Sequence, residues 1–133
     1  MTADEKYEYW LDIAQYDLKS ASAMYSKGRW LYVAFMCQQA IEKVCKGLYL
    51  LYIDENIPWV HDINLIITRF EDKLSTAIDT DKRMLFARLS AFYINNRYPK
   101  YKRHLSVSLN KKEAKDILKK TKEAFKWLLT LKP

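Results

Sequence analysis

Two glycines and three prolines are the only strong turn-formers in a chain of 133 residues. Strands joined by tight turns need far more punctuation than this, so long helices are expected before any periodicity is examined. Half of the residues are hydrophobic and 14% are aromatic. That is too apolar for a disordered chain, even at a net charge of +7. The length suits one domain, residues 1–133, built around a single core.

Apolar spacing then divides the chain. Over residues 4–27, Tyr7, Trp10, Leu11, Ala14, Leu18, Ala21 and Tyr25 recur three or four apart, one stripe on a first helix. Gly28 ends it, being free to adopt a left-handed cap. A second helix is expected from near Arg29 to about Ile53, with apolar residues over a wide face, and so at the centre of the fold. Pro58 and the restricted Ile57 before it close that region. A shorter helix follows Asp62, its expected cap, through Ile63, Ile66, Ile67 and Phe70. A fourth, carrying Leu85, Leu89 and Phe92, is predicted to end near Asn95 or Asn96, before Pro99. The last begins at Asn110, where Glu113 three residues on predicts a capping box, and its stripe includes Ala114, Ile117, Leu118, Phe125 and Leu128. The expected fold is all-α: an antiparallel up-and-down bundle of four long helices plus one short helix.

Charge is segregated. Residues 1–96 hold 11 Lys and Arg against 13 Asp and Glu, whereas residues 97–133 hold 12 against 3. From Asn95 to Lys112 there are six cations and no acid. A polyanion such as RNA or a nucleotide is a reasonable partner for such a stretch, and a solvated basic face is the bland alternative. No run approaches the roughly 18 apolar residues of a membrane span, so no membrane contact is expected. The acidic, polar MTADEKYEYW is unlike a signal peptide. Cys37 and Cys45, eight residues apart on one helix, would lie about 12 Å from each other, too far for a disulfide. Two buried thiols in a reducing cytoplasm are expected, with neither a metal site nor a cofactor. The lack of a glycine-rich phosphate loop excludes a P-loop enzyme.

Four sequence elements occur in an order that resembles the HEPN domain, a small helical family found with minimal nucleotidyltransferases. The opening helix carries Trp10, Ala14, Asp17, Leu18 and Ala21 in the family's pattern. The stretch AFMCQQAIEKVCKGLYL, residues 34–50, is similar to its Gln-Gln-Ala-x-Glu-Lys-x-x-Lys helix. His61-Asp62-Ile63 resembles its His-x-Leu/Ile element, and Arg97-Tyr98-Pro99 its Arg-Tyr-Pro. The resemblance covers nearly the whole chain. It implies a cytoplasmic homodimer with a nucleotidyltransferase-like partner, of toxin–antitoxin type. It also implies a metal-independent ribonuclease pair, since nuclease members use Arg-x(4–6)-His and here Arg97 and His104 have six residues between them. The alternative it implies is a non-catalytic module that holds a nucleotide or docks the nucleotidyltransferase. Two positions depart from the nuclease pattern: Tyr98 stands where a polar residue often follows the arginine, and Ser106 where many toxin members carry a tyrosine.

The chemistry of NNRYPKYKRHL, residues 95–105, suits either role. A guanidinium at Arg97 can grip a phosphate in a fork, or cap the fourth helix and pair with an acid. An imidazole at His104 can exchange protons with RNA oxygens, or be a surface histidine in a basic loop. Lys100, Lys102 and Arg103 alternate with Tyr98 and Tyr101, a pattern of phosphate contacts beside stacking rings that also occurs on ordinary surfaces. His61 either joins a site or fixes a helix start. Glu42 and Lys43 are expected to pair with neighbouring helices rather than with a ligand.

Overall fold

A computed structural model describes residues 1–93 and 109–133 of the chain. Within them the helices are α1 (Ala3–Ser26), α2 (Trp30–Tyr52), α3 (Ile63–Thr68), α4 (Thr80–Ser90) and α5 (Lys111–Leu129), with a 3₁₀ turn at Glu71–Lys73. No strand occurs among the described residues. The all-α bundle of four longer helices and one short helix agrees with the periodicity.

The α1–α2 hairpin is its framework. Thr2 and Glu5 cap α1 reciprocally, the Thr2 hydroxyl accepting from the Glu5 amide and the Glu5 carboxylate from the Thr2 amide, both at 3.1 Å. At the other end Gly28 takes φ +71°. The Arg29 amide then donates to Met24 O at 2.9 Å and the Gly28 amide to Tyr25 O at 3.1 Å, the paired bonds of a Schellman turn. So short a reversal leaves α1 and α2 antiparallel and in extended contact. Fifteen of the 23 residues of α2 are buried. This helix also touches α3, α4 and α5, which makes it the central one.

Asp62 caps α3 through the Leu65 amide at 3.2 Å, and Asp79 caps α4 through the Lys82 amide at 2.8 Å. Two details depart from the sequence reading. First, α4 stops at Ser90, short of Asn95. Ser90 Oγ donates back to Phe86 O at 2.8 Å and accepts from the Ile63 amide at 3.1 Å, which ties the end of α4 to the start of α3. Past the Ala91 cap, the Phe92 and Tyr93 amides bond three residues back rather than four, to Leu89 O and Ser90 O, so the chain tightens and leaves the helix axis. Phe92 still reaches the core, at 7% exposure. Second, Asn110 caps α5 through the Glu113 amide at 2.9 Å, but the Glu113 carboxylate does not close a box. It binds Arg88 of α4 instead, at 2.5 Å, because an ionised donor outcompetes a backbone amide.

The core is continuous, with Tyr7, Ile41, Leu48, Ile66, Phe70, Phe86, Leu89, Ile117 and Leu128 all essentially inaccessible. Gly47 lets α1 approach: a Cβ there would lie 3.0 Å from Tyr7 Cδ2 and 3.3 Å from Trp10 Cβ. Tyr7 is itself 2% exposed and has nowhere to retreat. Gly47→Val should therefore destabilise the protein by about 1–3 kcal/mol through overpacking, read as a lower urea midpoint at unchanged slope.

Arg88 joins α4 to α5 through Glu113 and, at 3.0 Å, Asp116. The Arg88 hydrogen bond, aided by Lys120, holds the Asp116 carboxyl below its ordinary value of 3.8, against a smaller opposing effect of burial. A carboxyl whose folded pKa lies below its unfolded one stabilises fully above the unfolded value and loses that contribution as pH falls through the folded one. Arg88→Met should thus lower stability at neutral pH by no more than about 1 kcal/mol, since the pair is half-exposed. The difference from wild type should vanish in strong acid, as acid-to-neutral unfolding curves would show.

Candidate functional site

The residues singled out by sequence as a nuclease or nucleotide site, Arg97, Tyr98, Lys100, Tyr101, Lys102, Arg103 and His104, lie outside the described residues, as do Pro99 and Ser106. The flanks of that stretch are described. On one side Phe92 is buried and Tyr93 half-buried; on the other Leu109 is buried and Asn110 caps α5. The Lys111, Lys112, Lys115, Lys119, Lys122 and Lys126 side chains that follow are exposed, as the α5 stripe predicts.

The described flank leads to a polar cluster inside the bundle. On α2, Gln38, Glu42 and Lys46 stand four apart and so share one helix face. They are 0%, 3% and 9% exposed. A carboxylate at that depth is costly unless donors surround it. Glu42 has three. Gln38 Nε2 donates to Oε1 at 2.8 Å, His61 Nδ1 lies 3.0 Å from the same oxygen, and Lys46 Nζ lies 3.0 Å from Oε2. The second Gln38 amide hydrogen goes to His61 O at 3.1 Å, and Gln38 Oε1 accepts from Gln39 Nε2 at 2.7 Å. The loop before α3 is thus held to α2 through both the backbone and the ring of His61.

The face of the His61 ring stacks on Tyr93, with centroids 3.7 Å apart and planes 11° from parallel. Tyr93 in turn has Phe35 of α2 at 6.4 Å. Burial, and then the negative charge of Glu42, raise the Tyr93 phenol above its ordinary value, so it stays a neutral donor. Lys43 faces the other way and pairs with buried Asp17 of α1 at 2.5 Å. Of the two residues expected to pair with neighbouring helices, Lys43 does so directly, whereas Glu42 pairs within α2 and across to the loop.

Sequence reasoning named His61 and Glu42 without joining them; Gln38 and Lys46 entered only as positions of the family-like helix, with no role, and Tyr93 not at all. One signal was available: polar residues at 38, 42 and 46 lie on a single face of an otherwise apolar helix. Burial pushes the Cys37 thiol up to about 12 and raises Cys45 as well, which keeps both in the neutral thiol form. Among the described residues no group of His, Cys, Asp or Glu side chains is placed to hold a metal ion, and no helix is long and apolar enough to cross a membrane.

Comparison with known proteins follows the same outline. Residues 7–131 match a family model described as HEPN domain. The fold is similar to that of the crystal structure of TT1696 from Thermus thermophilus, with a TM-score of 0.78 and 23% identity over 94% of this chain and 97% of that one. No curated protein matches the sequence. Glu42→Ala should cost about 3–5 kcal/mol, because it strands the Lys46 ammonium and unpairs Gln38 and His61 together. Thermal unfolding should show that loss, and a Lys46→Met change added to it should recover part of the stability.

Proposed function

The chain belongs to the HEPN domain family, and from that premise we propose that it is the toxin-type partner of a minimal nucleotidyltransferase. It works as a cytoplasmic homodimer that cuts RNA without a metal ion, using Arg97 and His104. The observation that carries this reading is the basic stretch from Asn95 to Lys112, six cations and no acid, between anchored flanks. Phe92 on one side and Leu109 on the other are buried in the core.

The chemistry assigned to the pair is simple. The Arg97 guanidinium holds the scissile phosphate and stabilises its growing negative charge. The His104 imidazole exchanges a proton with the attacking 2′-hydroxyl or the leaving 5′ oxygen. Because the nucleophile belongs to the RNA, the product end is a 2′,3′-cyclic phosphate. Lys100, Lys102 and Arg103 supply phosphate contacts, and Tyr98 and Tyr101 supply rings for unstacked bases.

A second reading is favoured by the two departures from the nuclease pattern, Tyr98 after the arginine and Ser106 two residues past the histidine. In that reading the same basic stretch holds a nucleotide, or docks the nucleotidyltransferase, without cleavage. Salt sensitivity does not separate the readings, since both depend on phosphate or surface charge. Cleavage does. Purified protein in EDTA should cut RNA to cyclic-phosphate ends, and Arg97→Ala and His104→Ala should each reduce the rate by about 100-fold or more. If wild type cuts nothing, yet Arg97→Ala weakens nucleotide or partner binding in calorimetry, the second reading replaces the first.

A further inference from the structure

The outward side of α5 carries charge that the fold does not use. Lys112, Lys115, Lys119, Lys122 and Lys126 stand three, four, three and four residues apart, so they form one row along the helix. At the usual helical rise the row is about 21 Å long. The opposite side, with Ile117, Thr121, Phe125 and Leu128, is buried. All five lysines are exposed, and among the described residues none of them has an ion-pair partner. The acids of α5 are turned elsewhere: Glu113 and Asp116 meet Arg88 of α4, and Glu123 lines the groove toward α4 with Trp127. No acid occurs from Asn95 to Lys112 either, so the sequence before the helix brings no counter-charge. Neighbours in such a row repel, so the row weakens the helix that bears it.

The chemistry of the row selects what neutralises it. Every exposed residue of α5 is charged. A helix that lies on a membrane buries apolar side chains among the lipids, and this face offers none. A protein partner needs a desolvated aromatic or aliphatic anchor at the centre of the contact, and the row has none. A phosphodiester backbone needs only regularly placed cations, because release of its counter-ions drives binding. A duplex suits the row poorly, since its strands wind away from a straight helix and the deep groove of double-stranded RNA is narrow. A single strand is free to follow the row. We propose that the α5 lysine row is a docking surface for the backbone of single-stranded RNA, used without regard to base sequence. This rests on RNA being the ligand, as in the reading above, and not on cleavage. In sequence the row begins where the basic stretch ends, at Lys112.

The test is the salt dependence of binding, by fluorescence anisotropy, to a short 2′-O-methyl-uridine strand, which has no 2′-hydroxyl to attack its own backbone. The full wild-type chain is compared with a row variant carrying Lys115→Gln, Lys119→Gln and Lys122→Gln together. A control with Lys19→Gln, Lys27→Gln and Lys73→Gln removes the same charge from exposed lysines elsewhere. Glutamine nearly matches the helical preference of lysine, so the row variant folds. Three fewer phosphate contacts should reduce the slope of log K against log salt by about 2, and weaken binding by about 100-fold at roughly 0.1 M salt. The control should stay close to wild type. Equal losses in the row variant and the control would overturn the proposal, since net charge alone would then explain binding. So would an unchanged row variant, a larger loss for double-stranded than for single-stranded RNA, or failure of wild type to bind the strand. Lost binding to phosphatidylserine vesicles, with RNA binding unchanged, would assign the row to a membrane surface and overturn it as well. The expected slope change in a wild type that cuts no RNA would end the ribonuclease reading and uphold this one.

Discussion

Glu42 is a carboxylate at 3% exposure on the helix that touches most of the others. A charge so placed imposes conditions on its surroundings, because its desolvation is repaid only by several well-placed donors. Those donors come from three places in the sequence. Gln38 and Lys46 lie one turn to either side on α2, and His61 lies on the loop that leads into α3. The loop cannot slide along α2 without breaking the carboxylate's bond and the bond from Gln38 to His61 O. The register of α3, and of α4 through the Ser90 bond to Ile63, follows from that constraint.

The same constraint explains where α4 ends. A helix continued to Asn95 would keep Tyr93 in helical register. Instead the chain tightens after Ser90, and the Tyr93 ring lies flat on the imidazole that Glu42 holds. The stack, at 3.7 Å, and the burial of Phe92 on the core replace the helical hydrogen bonds that are given up. The buried cluster therefore fixes the point at which the chain enters its most basic stretch.

Much of the fold was legible in the sequence, for reasons that are local. The Gly28 turn, the Asp62 and Asn110 caps and the α5 stripe each depend on residues a few positions apart, and those follow rules that need no tertiary knowledge. What was missed depends on partners far apart in sequence. The box expected at Asn110 stays open because Arg88, 25 positions away, takes the Glu113 carboxylate. Thr2 and Glu5 form such a box unannounced, at an N-terminus read only for its acidity. The end of α4 was misplaced because the competing attraction, the His61 ring, comes from the loop before α3. Arg97 and His104 were named from the family resemblance and lie outside the described residues, and no local rule tied Glu42 to His61 across 19 positions.

The chain's excess positive charge lies in residues 97–133. Two of the three acids in residues 97–133, Glu113 and Asp116, are engaged by Arg88, and Asp116 also by Lys120. Engaged in this way they do little to offset the exposed lysines of α5, and no acid occurs from Asn95 to Lys112. Like charges crowded on one part of a small surface repel, and the repulsion costs stability that only counter-ions or a polyanion relieve. A helical bundle that needed those cations only for solubility could spread them over its surface, as the balanced first 96 residues do. Concentrated instead in one stretch of sequence, they give that stretch the strongest attraction for a polyanion in the chain.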